Sequence, residues 1–403
     1  MNLFNSLGSN YSLNFVFRSL FNFNSNQDRE KLEKLLETKY QGKIVLLYKG
    51  REAIELALKI LDLPEGCFVA INGFTCLAVY QAIKNANLKA EYLDIERGDL
   101  NFSASTLKQA LEKNPNIKVV IVQNTLGYPC KIDEISKLCK EEKITLIEDL
   151  AHCVGTKYES GLEAGTVADI VAFSFSQDKM IDGISGGALV VKNITAKITN
   201  DFNNLNSFIQ IKDRLYPFFT HLIRSTYDLG VGKILHILLK TFDLLTEPMN
   251  RAKPVEGINS NRLHKLPSFY CNLIKSSFDN LETNLSHRRS IARIYSQIIN
   301  PKIMSKTLNS QIERSANLRF PIFVNNRESL ISYMRKFGVY ISDIWYDAPI
   351  APKKYLPLTD YKSECPNAEL AAKAVVNLPT HINVSKEEAE KISNIINQWL
   401  KSQ

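Results

Sequence analysis

Short apolar runs alternate with amphipathic helical segments from about residue 28 onward, and this alternation is the strongest constraint on the fold. Segments such as REAIELALKIL and TCLAVYQAIKNAN carry apolar residues at helical spacing, whereas KIVLLY (43–48), IKVVIVQ (117–123) and ITLIED (144–149) are typical of buried strands. Strands that are separated by helices indicate βαβ units and a mainly parallel sheet. Near-continuous Val, Ile and Leu runs indicate that both faces of the sheet are covered. We therefore predict an α/β fold with seven strands, the last two in VADIVAFSFS and GGALVVK.

Two parts of the chain depart from this alternation and indicate how it divides into domains. Residues 196–258 are rich in large apolar side chains but lack the strand-helix rhythm, and residues 259–403 begin with a long helical pattern followed by shorter strand and helix patterns. We predict a large α/β domain over residues 1–258, with a helical insert at 196–258. Residues 259–403 are predicted to form a smaller α+β domain.

The insert contains an amphipathic stretch in its second half. Six apolar residues fall on one helical face: Val231, Ile234, Leu235, Leu238, Phe242 and Leu245. The simpler interpretation is a helical insert that packs on the core or on a partner subunit. The alternative is a helix within residues 215–245 that makes weak contact with a membrane surface.

Composition limits the classes of function. The chain has 50 Lys and Arg residues against 42 Asp and Glu residues, and the resulting net charge of +8 suits an anionic small substrate as well as nucleic acid. Zinc-type Cys/His spacing, a helix-turn-helix pattern and a dense basic block are absent from the sequence, so we expect neither a metal site nor a nucleic-acid partner. Seven scattered cysteines without CxxC pairs are typical of reduced thiols. With no signal-peptide or membrane-spanning pattern, we expect a cytoplasmic protein.

Several polar features meet at the predicted carboxyl edge of the sheet, where ligands bind in such folds. Asp149 ends one buried strand, and Lys179 follows another in FSFSQDK. At Gly50-Arg51 a strand ends and a helix begins, which supplies free backbone N–H groups and the positive end of a helix dipole for a phosphate. Ser174 adds a hydroxyl donor. An anion cradle, a buried carboxylate and a lysine are the groups needed to hold pyridoxal phosphate (PLP), although each alone is more often a turn, a helix cap or a surface residue.

Longer segments of the chain resemble a known family. GREAIELALKIL, VVIVQNTLGYPCKIDEI, TLIEDLAHCVGT and FSFSQDKMIDGISGGALVV are similar to the DegT/StrS-type PLP-dependent aminotransferases, and the resemblance covers most of the chain. It implies a fold type I PLP-transferase, with a three-layer α/β/α large domain and a smaller C-terminal domain. Members of this family commonly transfer an amino group, usually from glutamate, to a keto group of a nucleotide-linked sugar. They usually act as homodimers.

The resemblance also implies roles for individual residues. Lys179 corresponds to the lysine that forms the Schiff base with the cofactor and shuttles the proton, and Asp149 to the carboxylate that pairs with the pyridinium. Because that lysine is retained, transamination is favoured over the sugar-dehydrating branch of the family, which has His there. His152 falls where the family has Gln or His near the phenolic oxygen, although it could also be an ordinary core histidine. The phosphate would be held by Ser174, Gly50 and Arg51.

Three departures from the family pattern leave the substrate open. Cys76 stands where the family usually has an aromatic residue stacked on the cofactor ring. The run Ile184-Ser185-Gly186-Gly187 replaces Gly-Glu-Gly-Gly, and Asn261 only loosely matches the asparagine that a second subunit lends to the phosphate site. A different PLP reaction on the same fold, or a non-catalytic binding or regulatory protein, therefore remains an alternative to sugar amination. For Arg319 we expect a surface position rather than contact with an anionic substrate.

Overall fold

The computed structural model describes residues 2–21, 25–194, 198, 202–246, 263–341 and 346–403 of the chain. These residues form thirteen strands: β1 (Leu3–Phe4), β2 (Lys43–Leu47), β3 (Phe68–Asn72), β4 (Thr75–Cys76), β5 (Lys89–Leu93), β6 (Ile117–Val122), β7 (Thr145–Asp149), β8 (Ile170–Ser174), β9 (Gly187–Val191), β10 (Arg319–Phe323), β11 (Val339–Tyr340), β12 (Ile350–Ala351) and β13 (Val375–Pro379). They also form fourteen α-helices: α1 (Leu13–Phe21), α2 (Asn26–Tyr40), α3 (Gly50–Lys59), α4 (Leu77–Asn85), α5 (Ala104–Lys113), α6 (Ile132–Glu141), α7 (Ser207–Ser225), α8 (Val231–Thr241), α9 (Ser268–Asp279), α10 (Leu281–Ile298), α11 (Lys306–Ser310), α12 (Arg327–Arg335), α13 (Pro366–Ala374) and α14 (Lys386–Lys401).

A seven-stranded, mainly parallel sheet forms the centre of the fold, as the sequence predicts. Its strand order is β2-β9-β8-β7-β6-β3-β5. The pairs from β8 to β5 are all parallel, whereas β9 runs antiparallel to both of its neighbours. The carboxyl ends of β3, β6, β7 and β8 therefore lie along one edge of the sheet, and the segments that follow them are close together.

Helices cover both faces of this sheet. Along β6, Val120 and Val122 pack into one hydrophobic core, while Val119 and Ile121 pack into a second core on the other face. Leucines of α2 and residues of α9 complete the first core, and the apolar faces of α3 and α4 complete the second. This arrangement confirms the three-layer α/β/α prediction.

A third hydrophobic core lies in the C-terminal part of the chain. The antiparallel pair β10–β13 packs there with α10, α12 and α14. Several contacts join the C-terminal part to the rest of the described chain, among them the pairing of β1 with β11 and of β12 with β4. The predicted domain border at residue 258 lies outside the described residues, so the division at that point stays a prediction.

The described part of the insert is helical. Its central helix α7 packs against both α1 and α8. In α8 the buried apolar residue is Leu239, whereas Val231, Ile234 and Leu238 of the predicted amphipathic face are 55%, 62% and 48% exposed. Leu245 and Leu235 of the same face do contact the first core, as do Tyr216, Ile223 and Leu239 of the insert. The insert thus packs on the core as predicted, but only part of the predicted face takes part. Among the described helices, none combines the length and apolarity needed to cross a bilayer.

Candidate active site

A cavity of ≈ 620 Å³ lies at the carboxyl edge of the central sheet. Seven of the eight site residues predicted from the sequence line it: Gly50, Arg51, Cys76, Asp149, His152, Ser174 and Lys179. The eighth, Asn261, lies outside the described residues. The strand ends thus bring together residues that are up to 129 positions apart in the sequence, from Gly50 to Lys179.

Lys179 and His152 form a buried pair in this cavity. The Lys179 amine lies 3.1 Å from Nε2 of His152, and the backbone N–H of Leu126 donates to Nδ1 of the same ring at 3.3 Å. Because Nδ1 accepts this hydrogen bond, the single proton of the neutral ring is placed on Nε2. The Nε2–H group then donates to the lysine, which can accept only as an unprotonated amine.

Burial favours the same protonation states. Desolvation lowers the pKa of Lys179, although the carboxylates of Asp149 and Asp178 partly oppose this shift. Desolvation, together with the positive charges of Lys179 and Arg319, lowers the pKa of His152 well below its usual value. Both groups are therefore biased towards their neutral forms, which is the state that nucleophilic attack by the amine requires.

The backbone turn that presents Leu126 to His152 has an uncommon conformation. It follows β6, and both Asn124 and Leu126 have positive φ angles, of 48° and 55°. Residues other than glycine rarely adopt this left-handed backbone conformation, because it costs conformational energy. Such residues are concentrated at functional sites. The Asn124 side chain fixes the turn, since its carbonyl oxygen accepts from the Cys130 N–H at 2.9 Å and its amide donates to the Tyr158 hydroxyl at 2.8 Å.

The side chains of Asp149 and its neighbour Glu148 lie in different surroundings, because successive strand residues face opposite sides of the sheet. Asp149 lines the cavity, where its Oδ1 accepts the Ala151 N–H at 2.9 Å. Burial raises its pKa to about 6, against the opposing effect of Lys179. Glu148 instead accepts hydrogen bonds from the Tyr158 hydroxyl and from the backbone N–H groups of Gly165, Val167 and Ala168. Asp149 is thus a carboxylate that a further cation would stabilise, whereas Glu148 is satisfied internally.

The start of α3 forms the predicted anion cradle. The helix begins at Gly50, directly against the end of β8, and a Cβ atom on Gly50 would lie 2.5 Å from Cβ of Ser174. Only glycine permits this approach. The first N–H groups of a helix have no partner within the helix, and they carry its positive dipole end. Arg51 also lines the cavity, and its guanidinium donates to Gln81 at 3.2 Å.

Lys49 is a cationic residue of the site that sequence reasoning missed. It lines the cavity beside Gly50, and its amine donates to the Ser185 hydroxyl at 2.9 Å. Ser185 stands where the family usually has Glu, so this departure from the family pattern supplies a hydrogen-bond acceptor to Lys49. A lysine before a strand-to-helix turn carries no signal that distinguishes it from a surface lysine.

Tyr346 is a second missed residue. Its ring stands nearly perpendicular to that of His152 (81°), and its hydroxyl lies 3.4 Å from Nδ1 of His152. The pairing of β12 with β4 brings this part of the chain to the site. A contact between two such short strands cannot be predicted from the local sequence. Arg319, by contrast, is only 6% exposed and donates to the backbone oxygens of Asn5 and Leu318, so the expected surface position was wrong.

These residues fit PLP. Arg51 and the start of α3 offer positive charge and N–H groups for a phosphate, and the Lys49 amine lies beside them. A side chain at residue 50 would collide with Ser174 at this place. Asp149, whose charged form is destabilised by burial, would be stabilised by a pyridinium. Lys179 supplies the amine. Among the described residues, no group of three His, Cys, Asp or Glu side chains could hold a metal ion.

Comparison with known proteins identifies the family. Residues 22–207 and 248–397 match the model of the DegT/DnrJ/EryC1/StrS aminotransferase family. The chain belongs to this family. The match to the DegT/DnrJ/EryC1/StrS model omits residues 208–247, which contain nearly all of α7 and the whole of α8. The family model thus leaves this part of the insert unmatched.

Individual relatives within the DegT/DnrJ/EryC1/StrS family are sugar aminotransferases. The UDP-4-amino-4,6-dideoxy-N-acetyl-beta-L-altrosamine transaminase of Campylobacter jejuni is 24% identical over 358 residues, which are 87% of this chain and 84% of that protein. GDP-perosamine synthase of Escherichia coli is 32% identical over 146 residues, or 36% of this chain and 39% of that protein. For several curated relatives the match covers only 39–42% of the relative's length.

Solved structures confirm the predicted fold. PseC of Helicobacter pylori, an aminotransferase involved in the biosynthesis of pseudoaminic acid, superposes with a TM-score of 0.70 at 17% identity, covering 97% of this chain and 96% of PseC. Another neighbour, from Streptococcus pneumoniae, is known in its PLP form. The family is PLP dependent, which confirms the cofactor prediction.

Proposed function

We propose that the chain is a PLP-dependent aminotransferase that transfers an amino group, from glutamate, to a keto group of a nucleotide-linked sugar. The observation that carries this proposal is the buried contact of 3.1 Å between the Lys179 amine and His152, beside Asp149 and the start of α3. The family match and the names of the relatives support sugar amination in particular. Lys179 is the proposed catalytic residue.

Each predicted residue then has a task. Bound PLP would supply an electron sink for the carbon from which the proton is removed. Asp149 would face the pyridine nitrogen and hold its proton, and His152 would donate from Nε2 to the phenolic oxygen. Gly50, Arg51 and Ser174 would hold the phosphate, and Cys76 would lie against the ring.

Lys179 has the properties of the base that this reaction needs. Its Nζ is tethered within the cavity and biased by burial to the neutral form, so it can accept a proton from a bound amino donor and return one to the keto acceptor. The side chains of Lys49, Lys240, Arg335 and Lys354 also line the cavity and give it an excess of positive charge. Such a surface favours the diphosphate of a nucleotide-linked sugar.

The test begins with purified protein and PLP. Borohydride should abolish the visible absorption band of the bound cofactor in the wild type, because it reduces the bond between cofactor and lysine to a stable amine. The reduced cofactor absorbs in the near-ultraviolet, and this absorption should stay with the protein through denaturation and desalting. It should be lost in Lys179→Ala and kept in the matched control Lys137→Ala, whose side chain is 79% exposed on α6. Amino transfer from glutamate should then be measured with keto-sugars linked to UDP or GDP, the nucleotides named in two relatives.

A second PLP reaction remains the rival, because Cys76 and Ser185 depart from the family pattern at the site. Cofactor that is trapped on Lys179, without amine transfer to any keto-sugar of the panel, would favour it. Failure of wild-type protein to retain the cofactor would favour a non-catalytic role and would contradict the proposal.

The proposed assembly is a homodimer in the cytoplasm. The resemblance supports it, since family sites are usually completed across a two-fold axis, and Asn261 is the residue that we expect a partner to contribute to the phosphate site. Sedimentation velocity of the PLP-loaded protein should give a dimer, and Asn261→Ala should weaken retention of PLP without changing that mass.

A further inference from the structure

Exposed apolar side chains are concentrated on one part of the fold. Of the twenty large apolar side chains that the described chain exposes, fifteen belong to α1, α7, α8 and the residues adjoining α8. We call this set the outer apolar surface: Leu13, Phe17, Phe21, Phe208, Ile209, Ile211, Phe218, Leu222, Leu229, Val231, Ile234, Ile237, Leu238, Phe242 and Leu244. Clustering of this kind marks an interaction surface, because single exposed apolar residues would be scattered.

Helical periodicity shows that the exposure is organised. On α1, Leu13, Phe17 and Phe21 recur every four residues and are 57%, 59% and 67% exposed. On α8, Val231, Ile234 and Leu238 likewise share one face. Each helix therefore presents a continuous apolar stripe to the outside, although its opposite side already packs within the protein.

The two sides of α8 differ in what they contact. Leu239 is buried, and His236 and Lys240 line the cavity of the candidate active site. Ile234 and Ile237 on the outer side are 62% and 64% exposed. A surface helix ordinarily presents polar residues on its outer side, so the apolar outer side of α8 indicates a second apolar environment.

Charge distinguishes between the possible environments. Residues 12–21 and 202–246 contain six Lys and Arg residues and three Asp residues. Of the three aspartates, Asp213 is fully buried, Asp243 is paired with Lys212 at 2.7 Å and Asp228 is exposed. Against this one exposed and unpaired carboxylate stand three exposed cations, Arg18, Lys233 and Lys240. Exposed cations around an apolar surface complement anionic lipid headgroups.

A second copy of the chain is a poorer match for this surface. A two-fold contact would bring each copy's surface against the same surface of its partner, and so would set Arg18, Lys233 and Lys240 against a net positive surface. Like charges at a desolvated contact oppose association. An anionic bilayer has no such penalty, and it satisfies both the apolar stripes and the cations.

We propose that the outer apolar surface docks on an anionic lipid bilayer, with α7, α8 and α1 lying in the interface between headgroups and acyl chains. The inference goes beyond the proposed amino transfer, which the cavity carries out without it. Residues 208–247, which carry most of this surface, lie outside the family match. Docking would place the cavity wall formed by α8 next to the membrane.

Sedimentation with vesicles tests the proposal. PLP-loaded wild-type protein should sediment with phosphatidylcholine vesicles that contain about one third phosphatidylglycerol, and the bound fraction should fall with added salt. The variant Ile234→Gln/Ile237→Gln should weaken vesicle binding about tenfold or more, since two apolar side chains are lost from the contact. The matched control Leu162→Gln/Leu370→Gln, at 49% and 64% exposed positions away from this surface, should bind as the wild type does.

Each other outcome overturns the proposal. Wild-type protein that stays in the supernatant with anionic vesicles contradicts it directly, as does equal binding by the α8 variant. A third contradictory result combines two measurements. Neither the wild type nor any variant binds vesicles, and the α8 variant alone changes from dimer to monomer. The outer apolar surface would then bind a second copy of the chain. If the α8 variant does not retain PLP, Phe17→Gln/Phe21→Gln on α1 replaces it. Amino transfer is measured separately, without vesicles. Its outcome tests the proposed function and does not depend on whether the protein binds lipid.

Discussion

The Lys179 amine and the His152 imidazole are joined by a hydrogen bond whose direction is set from the far side of the ring, by the backbone N–H of Leu126. A backbone amide cannot change its protonation state, so it fixes the ring proton on Nε2 at any pH at which the fold persists and the ring is neutral. The turn thus sets the direction of the hydrogen bond to the proposed catalytic lysine, whereas burial lowers the pKa of that lysine.

Lys179 should react as a free amine at a lower pH than an exposed lysine. Burial lowers its pKa, so a larger fraction is unprotonated at neutral pH. Competitive labelling of the PLP-free protein with a small acylating reagent, followed by peptide mass spectrometry, gives the titration midpoint of each lysine. The midpoint for Lys179 should lie below the usual value for a lysine. An equal or higher midpoint would contradict the assignment.

Asp149→Asn should lower the rate of the amino-donor half-reaction roughly 100-fold, because the pyridine nitrogen would no longer be held protonated. The protein should still bind PLP, since Lys179 and the start of α3 are unchanged. Rapid-mixing absorption measurements with glutamate give this rate. The matched control is Glu148→Gln, which should lower the unfolding temperature by disturbing the hydrogen bonds to Gly165 and Ala168 but change the rate little.

Gly50→Ala should weaken PLP binding and destabilise the fold by about 1–3 kcal/mol, because the new Cβ would lie 2.5 Å from Cβ of Ser174. Gly42→Ala is a suitable control at the other end of the sheet, where a Cβ would lie 2.6 Å from Cγ1 of Val190. It should lower stability to a similar extent and leave the dissociation constant for PLP unchanged. Equal losses of affinity in both variants would remove the phosphate-site interpretation of Gly50.

Asp182 should make the stability of the PLP-free protein depend on pH. Burial, with a smaller effect of the Asp178 carboxylate, raises its pKa to about 7, although the Tyr11 hydroxyl and two backbone N–H groups donate to it. Arg288 and Arg319 also act electrostatically on this region. Because the folded-state pKa lies above the unfolded value of about 4, the folded protein binds more protons between these two values. This contribution to stability is complete below pH 4 and is lost as the pH rises to 7, by up to about 4 kcal/mol.

Asp182→Asn removes this titration. The difference in unfolding free energy between wild type and variant, measured in urea, should therefore favour the wild type more at pH 5 than at pH 8. A difference that does not change with pH would show that the buried carboxyl does not titrate in this range.

Much of the fold and site could be predicted because their signals are local. Each buried strand is a run of Val, Ile and Leu, and in parallel sheets the residue after such a run is near the ligand, which located Asp149 and Ser174. Tyr346 could not be found in this way, because a contact between two two-residue strands brings it to the site. For α8, periodicity identified an apolar face, of which Leu235 and Leu245 contact the core while Val231, Ile234 and Leu238 are exposed. An apolar stripe that is wider than the surface it packs on cannot be recognised from its spacing alone.

The junction between β8 and α3 has a consequence for how this chain can evolve. A Cβ on Gly50 would lie 2.9 Å from Cα of Ser174 as well as close to its side chain, so no choice of residue at position 174 makes room for it. A descendant of this chain that keeps this junction must therefore keep glycine at position 50, whatever substrate it takes.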